Sequence, residues 1–228
     1  MKKKLNETLQ LNKDLKKSEL QINQFGNVSI RYNDLCLIKP SGADLKKITH
    51  KDISVVKIIN NKLLSGLKPS VDLSIHLALY KKFKNINVII HTHSLYATSW
   101  AQSGRPIPCY GTTHADYYPK EIPITNLLSK MSIKTNYEKD IGISIINKLE
   151  KLKLSEQNIP GILVANHGVV SWGVNGKIAM ENAHAIEFIA QLAFNSEVLN
   201  KNIKKLPIDL HQKHYNRKHG KKSYYGQG

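Results

Sequence analysis

The sequence predicts an α/β domain. Short apolar runs of strand length at 35–38, 88–90 and 161–165 are each bounded by turn residues. Around them lie longer stretches with helical spacing of apolar residues, clearest at 71–83 and 176–200. A hydrophobic content of 41%, with 13 Gly and 8 Pro scattered along 228 residues, is enough to bury one core and too high for a disordered chain.

Taken in order, residues 5–21 are Lys-rich with Leu at 5, 9, 11, 15 and 20, the pattern of a first amphipathic helix. Gly26-Asn27 breaks that pattern and turns the chain into a strand through Val28-Ser29-Ile30-Arg31. Leu35-Cys36-Leu37-Ile38 is a second strand, closed by Lys39-Pro40-Ser41-Gly42. Thr49-His50-Lys51-Asp52 offers either a helix N-cap or a turn into a strand through Ile53, Val55 and Val56. The helix after Pro69 has Val71, Ile75, Ala78 and Phe83 near one face, with Ser70 or Asp72 available as its cap. Val88-Ile89-Ile90 is a buried strand, and Ser94 starts a short helix that ends near Gly104. Pro106 and Pro108 then mark a loop leading to Gly111-Thr112-Thr113-His114-Ala115-Asp116. Residues 137–149 are helical, 161–165 form a further buried strand, and 169–172 return as its hairpin partner. The helix from 176 to about 200 carries Ile178, Ile186, Ile189 and Ala193 as its apolar stripe. The tail from 211 onward is too polar for a core. With neither repeat nor linker, the expectation is a single domain over 1–228, with 207–228 as a C-terminal tail.

No apolar run approaches the ~18 residues of a membrane span, and the start, Met1-Lys2-Lys3-Lys4, lacks the apolar segment of a signal peptide. Cys36 and Cys109 form no CxxC pair, which points to the cytoplasm. The net charge of +17 invites a nucleic-acid reading. However, the lysines are spread from Lys2 to Lys222 and no finger, RNP-like or helix-turn-helix pattern accompanies them. An anionic small substrate, with neither nucleic acid nor membrane as partner, is the simpler expectation.

Chemistry concentrates at Val88-Ile89-Ile90-His91-Thr92-His93. Strand side chains alternate, so His91 and His93 share a face, about 6–7 Å apart along the strand. They either share a divalent metal or divide into one buried and one solvated imidazole. His167, in Asn166-His167-Gly168, again stands where an apolar strand runs out. Three such histidines with an open fourth position suit a catalytic zinc. Asp72 is a fourth ligand, a partner that fixes an imidazole tautomer, or simply a helix N-cap. The turns Gly26-Asn27, Ser41-Gly42 and Ser70 can converge on a phosphate, with Lys39 as a point charge.

As a set these residues are familiar. Gly26-Asn27-Val28-Ser29, Ile38-Lys39-Pro40-Ser41-Gly42, Asp72-x3-His76, His91-Thr92-His93-Ser94, Gly111-Thr112-Thr113-His114-Ala115-Asp116-Tyr117 and Asn166-His167-Gly168 occur in that order. The stretch 20–195 resembles the class II aldolase/adducin family. The run Thr112 to Tyr117 and the tail Lys213-His214-Tyr215-x-Arg217-Lys218-His219-Gly220…Tyr224-Tyr225-Gly226-Gln227 resemble its sugar-phosphate epimerase branch. The resemblance implies a three-layer α/β/α sandwich around a largely antiparallel sheet, assembled as a homotetramer with active sites between subunits. It implies one zinc per subunit on Asp72, His91, His93 and His167. Phosphate and substrate contacts would fall on Gly26, Asn27, Ser41, Gly42, Ser70 and Val71, with Lys39 beside them. Asp116 and Tyr225 would be the proton donor and acceptor, supplied by the neighbouring subunit. Thr112, Glu138, His214 and Arg217 would shape the site.

The implied reaction converts L-ribulose 5-phosphate to D-xylulose 5-phosphate. The C4 hydrogen is not α to the C2 ketone, so direct deprotonation would leave an unstabilised carbanion. Retro-aldol cleavage of C3–C4 instead gives an enediolate that a Lewis-acidic zinc can stabilise. The aldehyde fragment turns its other face and the bond re-forms, with an acid/base group on each side of its oxygen. A tyrosine with an ordinary pKa near 10 is too weakly acidic for this, so Tyr225 needs the metal or a cation such as Arg217 nearby. Val71 stands where a second Ser is usual, Val169-Val170 where Pro-Phe is, and Asn126 where Arg is common. Two alternatives share the fold: an aldolase cleaving a deoxyketose 1-phosphate, and a catalytically silent interaction protein. The aldolases typically carry Glu at the Asp72 position and lack the two epimerase motifs.

Overall fold

The computed structural model describes residues 1–220 and 223–224. Helix α1 (Lys2–Lys17) leads through the Gly26 turn into the hairpin β1 (Asn27–Tyr32) and β2 (Leu35–Ile38). β3 (Ser54–Lys57) and β4 (Leu63–Ser65) follow, then α2 (Leu73–Lys82), β5 (Val88–Thr92) and α3 (Leu95–Gln102). The short helices α4 (Thr112–Ala115) and α5 (Lys130–Thr135) precede α6 (Tyr137–Leu152). β6 (Gly161–Val164), β7 (Gly168–Gly173), α7 (Gly176–Leu199) and α8 (Ile208–His219) complete the order.

The seven strands form one sheet in the order β4-β3-β2-β1-β5-β7-β6, antiparallel at every step. Because strand side chains alternate, each central strand feeds two layers. Val28, Ile30, Val88 and Ile90 pack with Leu15 of α1 and Ala179 and Ala183 of α7. Ile38 and Ile89 join a larger core with Ile75, Leu79 and Tyr80 of α2 and Ile141, Ile145 and Leu149 of α6. This is the expected α/β/α sandwich. β5 is buried along its whole length, as its unbroken apolar run requires.

Several local expectations need correction. The segment at 49–52 is both of the alternatives in turn. A single 3-10 turn (His50–Asp52) is closed by a Thr49–Asp52 capping box, and β3 follows at once. Val71 is 63% exposed and stands before α2, whose first buried residue is Ile75. Ile178 is half-exposed, and α7 instead buries Ala179, Ala183, Ile186, Ile189, Ala190 and Ala193. The polar tail is helical as α8 and is held by hydrogen bonds: His211 Nε2–H donates to the Tyr118 carbonyl (2.8 Å) and the Tyr215 hydroxyl to the Asn158 carbonyl (3.0 Å). Among the described residues no helix is long and apolar enough to cross a membrane.

Ser94 is the N-cap residue of α3, yet its hydroxyl caps nothing. The backbone N–H groups of Tyr96 and Ala97 donate instead to the carboxylate of Glu187 on α7, at 2.7 and 2.9 Å. This cross-element cap fixes the chain just past His93. Glu187→Ala should lower the unfolding free energy by about 1–3 kcal/mol, read from chemical denaturation. An unchanged midpoint would mean that solvent satisfies those N–H groups equally well.

Candidate active site

The strand pairing β1–β5–β7 brings together the residues that end each strand. Asn27 is opposite His91, and His91 is opposite Val170. His91 is buried, and its Nδ1–H donates to the Val169 carbonyl at 3.0 Å. That bond leaves the Nε2 lone pair free. His93 Nε2 lies 3.0 Å from it and His167 Nε2 lies 3.1 Å from it. The three ring centroids form a triangle with 4.8 Å sides. His167 sits on the tight β6–β7 turn, where Asn166 takes a left-handed φ of +58°. Gly168 lies so close to β5 that a Cβ there would be 2.5 Å from the Thr92 carbonyl oxygen. Gly26, at φ +112°, closes in from the other side, its missing Cβ 2.8 Å from the His91 carbonyl oxygen.

Among the described residues, His91, His93 and His167 form the one group of three whose ligand atoms all lie within 4.8 Å of one another. The donor set fits a divalent metal such as zinc. With the proton of His91 committed to Val169, three imidazole nitrogens crowd one point and cannot all be satisfied by hydrogen bonds among themselves. Burial, with the neighbouring His91 second, pushes His93 down to about 4. Burial, then His91 and His93, pushes His167 down to about 4 as well. Both folded values lie below the ordinary 6.5. Stability from these groups is therefore complete above the unfolded value and is lost as pH falls from about 6.5 towards about 4. The melting temperature of the metal-free protein should drop across that window. A flat profile there would count against a desolvated cluster.

Asp72 lies beside this cluster but is not one of the three mutually close residues. It occupies the N-cap position of α2 without capping it. Its Oδ2 instead accepts from Asn27 Nδ2 at 2.6 Å and from the Ser70 hydroxyl at 3.4 Å. Burial raises the Asp72 carboxyl, but His91, His76 and the Asn27 bond outweigh it and hold the group below the usual range. Asn27 Oδ1 is buried without a hydrogen-bond partner among the described residues, an acceptor already desolvated next to the cluster. Lys39 is buried, its ammonium 3.2 and 3.3 Å from the Gln24 and Gly26 carbonyl oxygens, and burial lowers its pKa. The Ser70 N–H donates to the Lys39 carbonyl (3.0 Å), tying the two turns together. Ser41 and Gly42 lie on the same loop as Lys39, with Ser41 exposed, and the exposed Val71 side chain offers no polar group of its own.

Asp116 belongs to a second cluster. Arg217 grips its carboxylate with two donors, Nε to Oδ1 at 3.0 Å and Nη2 to Oδ2 at 2.7 Å, and His214 Nδ1 is 3.1 Å from Oδ1. Burial raises the Asp116 carboxyl, but the Arg217 and His214 hydrogen bonds prevail and hold it below the usual range, so it is ionised at neutral pH. Its neighbour Tyr118 donates to the carbonyl of Gly161, at the start of β6, whereas His167 follows that strand's far end. Three residue steps along the strand amount to about 10 Å. Thr112 opens α4 on the Asp116 side, and Glu138 lies half-buried in the first turn of α6, next to Tyr137. Tyr225 lies outside the described residues.

Two contributors carry no recognisable signal in the sequence. The Tyr137 hydroxyl lies 3.2 Å from His167 Nδ1, across 30 residues of chain. Val169 contributes its carbonyl, a group that any residue supplies, so the Val169-Val170 departure leaves this bond available.

Residues 6–194 match the family described as class II aldolase and adducin N-terminal domain. The chain is 42% identical over 225 residues to a Mycoplasma pneumoniae protein named "Probable L-ribulose-5-phosphate 4-epimerase UlaF", covering 97% of this chain and 93% of that one. It is 37% identical over 229 residues to the L-ribulose-5-phosphate 4-epimerase UlaF of Salmonella paratyphi C, covering 100% of both. Among solved structures, an L-fuculose 1-phosphate aldolase superposes with a TM-score of 0.80 at 23% identity, over 94% of this chain and 95% of that one. The L-fuculose-1-phosphate aldolase of Thermus thermophilus gives 0.69 at 18% identity, over 88% and 99%. At these identities the two aldolase structures speak to the fold.

Proposed function

Because this chain belongs to the class II aldolase and adducin family, we propose that it is an epimerase interconverting L-ribulose 5-phosphate and D-xylulose 5-phosphate. The observation that carries this reading is full-length identity of 37% over 229 residues to a protein named for that activity. The geometry agrees with it, since the cluster around Asp116 unites the two sequence motifs that set the epimerase branch apart.

His91, His93 and His167, with Asp72 as the fourth ligand, would hold one zinc ion. Bound there, the metal supplies Lewis acidity for cleaving and re-forming the C3–C4 bond by a retro-aldol path. The chain's own groups do the rest. His91 is aimed by the Val169 carbonyl, and Asp72 is turned away from helix capping by Asn27. Lys39 and the Gly26-Asn27, Ser41-Gly42 and Ser70-Val71 turns bind the phosphate through one cation, small hydroxyls and backbone N–H groups. Asp116, ionised and oriented by Arg217 and His214, takes the proton of the C4 hydroxyl on one face. Tyr225 serves the other face, and Thr112 and Glu138 line the approach.

Within one chain, among the described residues, the hydrogen-bond partners of the Asp116 carboxylate are Arg217 and His214 of α8, and none of the three imidazoles is among them. In this reading a complete site takes its metal half from one chain and Asp116, Tyr225 and the 207–228 tail from the next, as the family resemblance implies. The homotetramer implied by the family provides that juxtaposition. Cys36 and Cys109 are both buried free thiols, in keeping with a cytoplasmic setting.

The deciding assay follows product identity. Incubation with L-ribulose 5-phosphate should yield D-xylulose 5-phosphate, with loss on chelation and recovery on adding zinc. Inertness towards that substrate combined with cleavage of a deoxyketose 1-phosphate would assign the chain to the aldolases instead.

A further inference from the structure

His167 differs from His91 in how it is held. His91 lies within β5, and the Val169 carbonyl fixes its ring. His167 sits on the β6–β7 turn beside Asn166 in its left-handed conformation, outside both strands. Its ring is nevertheless closely aligned, stacked on His91 with planes 10° apart and centroids 4.8 Å apart. The turn alone does not dictate that alignment.

At the outer nitrogen of this ring stands the Tyr137 hydroxyl, 3.2 Å from Nδ1. Among the described residues it is the one hydrogen-bond partner of Nδ1, and Nδ1 is the one partner of the hydroxyl. The two rings meet at 73°. Tyr137 is a fixed point by virtue of where it stands: it is the first residue of α6, and its ring packs against the larger core. α6 in turn lies hard against α2 at Gly142, where a Cβ would come 2.7 Å from that of Ala78. A side chain on a packed helix is held more precisely than one on a turn.

The direction of the bond follows from the cluster. His167 Nε2 faces His91 Nε2, and a cation shared by the three rings needs the Nε2 lone pair of each. A neutral imidazole that offers Nε2 carries its proton on Nδ1. That proton faces Tyr137 Oη, which accepts it. A hydroxyl can also donate to a bare Nδ1, so the contact persists in either tautomer, which a carbonyl such as that of Val169 could not provide.

We infer that Tyr137 is a positioning residue for the metal site: its hydroxyl takes the Nδ1–H of His167 and directs the Nε2 lone pair of that ring to the point shared with His91 and His93. An imidazole ligand is ordinarily steadied at its other nitrogen by a carboxylate, a carbonyl or water. Here a phenol from a separate helix serves. The inference rests on the metal-site reading above, and zinc is the ion whose affinity it tunes.

Zinc affinity, read by chelator competition on the intact protein, is the first test. Tyr137→Phe keeps the ring and removes only the hydroxyl. It should weaken zinc binding by about 10–100-fold, while the metal-free variant unfolds at the wild-type denaturant midpoint. Unchanged affinity would overturn the inference. So would a zinc loss accompanied by a fall in that midpoint, which would make Tyr137 a folding residue. The second test needs no variant that could misfold. In zinc-loaded wild type labelled with 15N-histidine, the Nδ1–H of His167 should exchange slowly with water and give a nuclear Overhauser contact to the Tyr137 ring. Absence of that contact would defeat the assignment. Wild-type protein that takes up no zinc would refute the metal-site reading and the inference with it, whereas each of the other failures leaves the metal-site reading standing.

Discussion

Replacing His93 with alanine should reduce epimerisation of L-ribulose 5-phosphate by at least about a thousandfold, because the several kcal/mol supplied by a Lewis acid disappear with its ligand. His93 is the most informative of the three imidazoles. It is half-buried and its hydrogen bond runs to His91, whereas His91 is committed to Val169 and His167 to Tyr137. The variant should fold normally and contain almost no zinc by elemental analysis, and added zinc should not rescue it. Chelated wild type should recover fully on zinc addition. Near-normal turnover by His93→Ala would mean that the cluster is structural.

Asp116→Asn should lower kcat by about 10²–10⁴-fold while zinc content stays at the wild-type level. Asparagine keeps the volume but cannot take the proton, and Asp116 is not among the residues that converge on the metal position. Zinc loss in this variant would show that its role is misassigned. The pair of variants also tests the shared site. When His93→Ala and Asp116→Asn chains are unfolded, mixed and reassembled, about a quarter of the sites should combine an intact imidazole cluster with an intact Asp116. Activity should then reappear in a mixture of two inactive proteins. Its absence would place both halves of the site within one chain.

Most of the sheet was legible because the periodicity is local. Leu35–Ile38 and Val88–Thr92 announce themselves by composition, and the Asn166-His167-Gly168 turn by its residue types. The elements that escaped are those held by distant partners. α8 has no apolar stripe, and its His211, His214, Tyr215 and Arg217 bond to residues 57 to 101 positions away. β4 is short and exposed, paired only with β3 at the sheet edge. Ser94 marked the start of α3 correctly, but the cap itself comes from Glu187, 90 residues on from Ala97.

By itself, then, the sequence determined which residue types stand at strand ends and tight turns: three imidazoles after apolar runs, and glycines where the backbone must approach closely. Those depend on nearest neighbours and on what a backbone conformation tolerates. How they face one another depends on the packing of the whole chain. Strand register puts His91 opposite Val170, within reach of the Val169 carbonyl, and brings His167 to within 3.1 Å. Helix placement turns Asp72 to Asn27, and α8 delivers Arg217 to Asp116. Hydrogen bonds and Coulomb forces act over a few ångströms of space whatever the separation along the chain, and so these pairings became visible only in the fold.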